Sequence, residues 1–271
     1  MPTKLLRCSW FAVTAALLLA TMAQAQGASD EEKNRLNTDS HIGNITGHAK
    51  NAKEDYRRYC VGCHGDLGDG NGENAAWVDP KPRDFTLGAF KCRSTPTGTL
   101  PTDQDLYDTI GRGLDRSNMP IWNTFTKQQR ADLVAYVKAF SPKFRDEKPG
   151  PVVPIPPEPP TSVDSVKRGS ELFVSQNCWQ CHGKDGRGHG PSALSLTDSK
   201  GYPIQPFDLT SGTRLKCADS DSGIFRDLST GLDGTPMPSF ADTLKPDQIW
   251  DLVHYIATLR TTVGGAGAGS H

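Results

Sequence analysis

Apolar side chains recur at helical spacing along six stretches of the chain, three in each half. From about His48 to Tyr59, Ala49, Ala52 and Tyr56 fall on one face at i, i+3 and i+7. Thr102 with Asp105 opens a short helix to about Arg112, which Gly113 can end. Thr126 and Gln129 form a capping-box pattern ahead of a helix to about Phe140, with Leu133, Val134, Tyr136, Val137 and Phe140 on its apolar face. The second half repeats the order: a helix from Val166 to Gln176 with Gly169 and Phe173 four apart, another from Ser222 to Thr230, and a last one opened by Pro246 and running to about Leu259. Ahead of all this, Asp30 to Thr46 is polar and poorly periodic and reads as an extended arm or a frayed start. The fold class expected is all-α.

The repeat extends beyond the helices. Cys60-Val61-Gly62-Cys63-His64 is answered by Cys178-Trp179-Gln180-Cys181-His182, and Met119-Pro120 by Met237-Pro238, each methionine 55 residues after its histidine. Arg83-Asp84-Phe85-Thr86 is matched by Phe207-Asp208-Leu209-Thr210, and Lys91-Cys92 by Lys216-Cys217. A repeat of 118 residues carrying the same markers in the same order argues for duplication of one domain. The join, Pro-Gly-Pro-Val-Val-Pro-Ile-Pro-Pro-Glu-Pro-Pro over 149–160, is rich in proline and favours polyproline II. It reads as a semi-rigid strap that either holds the halves apart or runs back along one of them.

Composition limits the function classes. The 271 residues carry 30 Lys and Arg against 31 Asp and Glu, a net charge of −1, and neither half is basic enough for nucleic acid. Lys4 and Arg7 precede an apolar run from Trp10 to Met22 and a small-residue site at Ala23-Gln24-Ala25. Residues 1–25 are therefore expected as a signal peptide, with the mature chain starting at Gln26 in a bacterial periplasm. The run is short of the ~20 apolar residues a membrane span needs, so no span is expected after cleavage.

The chemistry lies in the two pentapeptides. Cys-x-x-Cys-His presents two thiols to the vinyl groups of a haem and an adjacent imidazole to its iron, the pattern of c-type haem attachment. A zinc site wants a second Cys/His pair close by, and a redox dithiol wants a βαβ setting; neither accompanies these motifs. Covalent attachment is thus assigned to Cys60, Cys63, Cys178 and Cys181, and one axial position of each iron to His64 and His182. Of four methionines, Met1 and Met22 leave with the signal, so Met119 and Met237 survive at identical distances from the two histidines. They are the expected second axial ligands. The glycine-rich loop after His64 lacks the alternating acids of a calcium loop and reads as a solvated turn.

Helix, Cys-x-x-Cys-His, glycine-rich loop, middle helix, Met-Pro loop and last helix together resemble the class I c-type cytochromes. The resemblance implies two tandem class I cytochrome c domains, each a few helices around a covalent haem c, over 48–148 and 162–263. The remaining segments are an N-terminal arm at 26–47, a Pro-rich linker at 149–161 and a flexible tail at 264–271. In this family the first and last helices cross near the haem at small and aromatic residues, which maps onto Gly169, Phe173 and Tyr255 or Trp250, and onto Ala52, Tyr56 and Tyr136. The implied function is periplasmic diheme electron transfer. The partners would be redox proteins: a quinol-oxidising complex or periplasmic dehydrogenase as donor, a terminal oxidase or reductase as acceptor. The alternatives are a diheme enzyme of the peroxidase or thiosulfate dehydrogenase type, or the cytochrome subunit of a larger oxidoreductase complex. Cys92 and Cys217 stand outside the family pattern, and three fates are open to them: an interdomain disulfide, separate buried thiols, or a thiolate haem ligand. His189 reads as a solvated side chain, and His254 as surface or interhelical.

Overall fold

A computed structural model of the protein describes Lys33 and residues 35–261. The expected signal peptide and tail lie outside these residues. In the first half the chain forms a hairpin, β1 (Asp39–Ile42) and β2 (Ile45–His48), followed by helices α1 (Ala49–Tyr59), α2 (Val61–His64), α3 (Asp103–Arg112), α4 (Lys127–Lys138) and α5 (Lys143–Asp146). The second half holds α6 (Val163–Ser175), α7 (Cys178–His182), α8 (Asp221–Thr230) and α9 (Pro246–Thr261). Each half has its own apolar core.

The caps read from sequence form. Thr102 and Thr126 each accept a hydrogen bond from the backbone N–H three residues on, and the Asp105 and Gln129 side chains each accept one from the cap residue's own N–H. Helix α6 starts three residues ahead of the expected Val166, because Ser162 and Ser165 close a reciprocal box of their own.

The arm departs from expectation. Residues 39–48 form an antiparallel hairpin turned at Gly43-Asn44, in register Ile42 to Ile45, and this hairpin lies on α4. Ser40 donates its hydroxyl to the Ala131 carbonyl at 2.7 Å, and the His48 N–H donates to Asp132 at 2.7 Å. Gly47 runs so close to α4 that a side chain there would overlap the Ala131 carbonyl.

Helix crossings hold each core. In the second half α6 meets α9 at Gly169, where a Cβ would overlap the Asp251 carbonyl, and Phe173 packs on Tyr255 at 5.4 Å between ring centres. Trp250 instead faces Phe225 at 4.7 Å. In the first half α1 crosses α4 through Ala49 and Ala52, both fully buried, with Tyr56 4.9 Å from Tyr136 and 5.1 Å from Phe140. Each such aromatic pair adds roughly 0.5–1.5 kcal/mol beyond its burial.

The halves are docked on one another. A disulfide joins Cys92 to Cys217, Cα atoms 5.0 Å apart. Arg93, its side chain fully enclosed, donates to the Thr230 carbonyl at 2.6 Å and pairs with Asp233 at 2.9 Å. Arg112 donates to the Cys217 carbonyl at 2.8 Å, and Arg214 to the Arg112 carbonyl at 2.9 Å. The strap follows both halves: the Val153 N–H donates to Ser94 O at 2.8 Å, and the Glu158 carboxylate lies 3.4 Å from His254 Nε2.

Candidate haem sites

Helix α1 stops where the first thiol is presented. Cys60 stretches the helical backbone to φ −116° at the end of α1, and a new turn carries Cys63 and His64 until Gly65, at φ 75°, reverses the chain. In the second half Asn177 makes that break at φ 59°, a left-handed conformation that asparagine tolerates, and Gly183 ends the turn at φ 78°. The glycine-rich loops then fold back onto the motifs. The N–H of Gly70 donates to His64 O at 3.0 Å and that of Gly72 to Cys63 O at 3.1 Å; Gly188 and Gly190 repeat both bonds on His182 and Cys181 at 2.7 and 3.1 Å. A side chain at Gly72 or Gly190 would overlap the motif's own carbonyls.

Each motif histidine is aimed by a carbonyl. His64 Nδ1 lies 3.1 Å from Arg83 O and His182 Nδ1 3.1 Å from Phe207 O. A carbonyl only accepts, so Nδ1 carries the proton and Nε2 keeps its lone pair for a metal. Those carbonyls are fixed by the next residues: Asp84 Oδ1 accepts from the N–H and hydroxyl of Thr86, as Asp208 does from Thr210. Burial lowers both imidazole pKa values, against a smaller raising effect from the carbonyl bond, and so favours the neutral ligating form.

The methionine loops are equally alike. Leu114 N–H donates to Met119 O at 3.2 Å, Ser117 Oγ donates to Leu114 O at 2.7 Å, and Met119 N–H donates to Ser117 Oγ at 3.2 Å. Leu232, Thr235 and Met237 make the same three bonds at 3.1, 2.7 and 3.2 Å. In the first half Met119 shares one cavity with Cys60, Cys63 and His64. It encloses about 1030 Å³, open mouth included, between apolar walls that include Tyr59, Phe85, Trp122 and Phe125.

The donor set fits a covalently bound haem. Burial pushes the Cys60 thiol up to about 12 and the Cys178 thiol to about 11. A redox dithiol or zinc thiolate requires the opposite shift, whereas a thioether requires no thiolate in the finished protein. Among the described residues no cluster of three or more His, Cys, Asp or Glu side chains is arranged for a metal ion. His189 is exposed, and His254 is buried between helices with Nδ1 2.9 Å from Ser165 Oγ.

The two halves also touch reciprocally at their sites. The Arg83 guanidinium lies against Gly234 in the Met237 loop, and the Arg116 guanidinium of the Met119 loop sits 5.2 Å from the centre of the Phe207 ring. Sequence reasoning missed these contacts, the histidine-aiming carbonyls and the loop hydroxyls. Only the last had a signal, a hydroxyl residue two places before each methionine.

Comparison with known proteins agrees with this geometry. The family described as "Cytochrome c" matches residues 166–260, and "Cytochrome C oxidase, cbb3-type, subunit III" matches residues 47–137. A chain of the reducing HAO-like protein complex of Kuenenia stuttgartiensis is 43% identical and superposes with a TM-score of 0.75, over 77% of this chain and 94% of that one. The cbb3-type cytochrome c oxidase subunit CcoP of Helicobacter pylori is 26% identical over 152 residues, 53% of this chain and 47% of the relative. The chain thus spans about half the length of that curated relative. Fold and sites define a haem-binding electron-transfer protein. The chain belongs to the diheme class I c-type cytochromes, with two cytochrome c domains and two haem c groups.

Proposed function

We propose that this chain is an exported, periplasmic electron carrier whose two haems are each ligated by histidine and methionine, His64 with Met119 and His182 with Met237. The observation that carries the reading is the duplication of the methionine loop, bond for bond, in the two halves. A loop braced by its own Ser117 or Thr235 hydroxyl holds the thioether in place through a change of oxidation state. Bound haem supplies one-electron ferric/ferrous chemistry, with methionine favouring the ferrous form relative to a second histidine. The chain's residues do the rest. Cys60, Cys63, Cys178 and Cys181 hold the macrocycles covalently, and the carbonyls of Arg83 and Phe207 fix the imidazole planes. The aromatic walls keep water from the iron, and the docked halves offer a relay between the two centres. With a methionine assigned to each half, neither site is left open for peroxide, which favours a carrier over a diheme peroxidase.

A second reading refines the first: the chain delivers electrons inside a larger oxidoreductase. The 43% identity to a chain from a multi-protein redox complex, covering 94% of that chain, favours it. Donors and acceptors on either reading are redox proteins, a quinol-oxidising complex or periplasmic dehydrogenase before it and a terminal oxidase or reductase after it. The optical spectrum of the oxidised holoprotein tests the ligation. Two haems should each contribute the weak red-edge methionine-to-iron band, unchanged by brief exposure to cyanide. Intensity for one haem alone would defeat the symmetric assignment.

A further inference from the structure

The repeated Lys-Cys pairs have no part in the chemistry so far. Each lysine directly precedes a disulfide cysteine, so the bond that brings Cys92 and Cys217 to 5.0 Å between Cα atoms also brings Lys91 and Lys216 together from opposite halves. Both lysines, with Arg83, line the first half's cavity alongside Cys60, His64 and Met119. Lys216 is therefore a wall residue of a site whose other named groups belong to the first half.

Three cations in one partly buried wall repel. The Lys91 ammonium is pushed down to about 8 by burial first, then by Arg83 and Lys216, with Asp198 opposing. Lys216 is lowered as well, by burial and then by Arg116 and Arg83, against Asp79. Among the described residues none of the three makes an ion pair within 4.0 Å. Cations gathered in a low-dielectric wall are stabilised by an anion placed among them. The group this cavity fits carries two propionate carboxylates, and ammonium donors in such a wall form charge-assisted hydrogen bonds to carboxylates.

We propose that Lys91 of the first half and Lys216 of the second together clamp the propionate carboxylates of the first haem, so that the second half completes the first half's site. The inference rests on the reading that this haem lies between His64 and Met119. The Cys92–Cys217 bond sets the register of the clamp. Each ammonium near the iron also opposes the extra positive charge of the ferric state, so Lys216 raises the first haem's potential from across the domain boundary.

The test uses the full-length holoprotein and spectroelectrochemical titration of both haems, with resonance Raman bands of the propionates as a second readout. K216Q should shift the oxidised-to-reduced ratio of one haem at fixed potential by roughly tenfold towards oxidised, about 59 mV for one electron, and displace that haem's propionate band. The affected haem is identified as the first by its loss of the methionine band in M119H. K216M, which keeps the apolar stem, should do the same, K91Q should act in the same direction, and K216R should restore most of the effect. Unchanged potentials and propionate bands in K216Q would overturn the clamp while leaving the ligation intact. A wild-type spectrum without the first methionine band would overturn the ligation instead.

Discussion

Replacing Cys92 and Cys217 with serine would open a covalent loop with a sequence separation of 125 residues. In the chain-entropy treatment a loop of that length removes about 5 kcal/mol of configurational freedom from the unfolded state at 25 °C. The folded side changes less, because the contacts flanking the bridge do not depend on sulfur. Arg93 keeps Thr230 and Asp233, Arg112 keeps the Cys217 carbonyl, and Arg214 keeps Asp115 at 2.5 Å. The expected loss is therefore about 2–5 kcal/mol, most of it from an unfolded chain freed to expand. The assay is urea unfolding of the oxidised holoprotein, followed by tryptophan fluorescence and far-UV circular dichroism, for wild type and C92S/C217S. A thiol titration in denaturant comes first and should find none in the wild type, on the proposal that the other described cysteines carry the haems. The midpoint should fall in the double variant and the slope should rise, since a chain without the bridge exposes more surface when unfolded. Two free thiols in the wild type, or an unchanged midpoint in the variant, would refute the reasoning.

Three further outcomes follow from the geometry. Gly169→Ala should destabilise by about 1–3 kcal/mol, because overlap with the Asp251 carbonyl outweighs the ~1 kcal/mol that alanine gains in a helix; a raised urea midpoint would sink the close-approach argument. The Asp227 carboxyl is raised to about 6 by burial, against the arginines Arg226, Arg112 and Arg93. The native state thus binds this proton more tightly than the unfolded one, and stability from this group is lost as pH rises from about 4 to 6, up to about 3 kcal/mol. Unfolding midpoints of D227N relative to wild type should improve across that window, and a flat difference would contradict the assignment. Met119→Leu keeps the apolar volume but removes the sulfur, so the reduced variant should bind one carbon monoxide per molecule and the oxidised variant should lose half of the red-edge intensity; no binding would argue that another side chain ligates.

What the sequence disclosed was local. Thr102 with Asp105 and Thr126 with Gln129 are capping signals within four residues, and both helices begin where those pairs indicate. The α6 start was harder, because Ser165 stands where a capping box more often has Glu or Gln. The hairpin carried a signal in Gly43-Asn44 between isoleucines. Its strands are only four residues long, however, and their burial comes from α4, some ninety residues on. The histidine-aiming groups are backbone carbonyls, one from Arg83 and one from Phe207, so side-chain identity could not reveal them. The first half has no glycine at the helix position equivalent to Gly169, and the structure supplies the reason in part: close approach to α4 is made by Gly47 in the strand before α1.

The two halves hold similar sites but not an even partnership. His64 and its carbonyl partner are 19 residues apart, whereas His182 and its partner are 25 apart, although both methionines fall 55 residues after their histidines. The longer stretch in the second half includes a small bridged loop, Thr197 to Pro203, which reaches the first half. From it Lys200 donates to Asp69 O at 3.0 Å and pairs with Asp84 at 3.1 Å. Asp84 is the residue whose turn sets the carbonyl for His64, so this contact bears on the orientation of the first imidazole. Lys216 lines the same site and Gly234 makes room for the Arg83 side chain. Three segments of the second half thus converge on the first half's haem site. The first domain produced alone would lose all three. Cys60, Cys63, His64 and Met119 would remain, but its cation wall would be incomplete and the turn at Asp84 would lack its cross-domain partner. The isolated first domain should therefore bind haem and show a potential unlike that of the same haem in the intact chain, and equality of the two values would mean that the docked halves work as independent units.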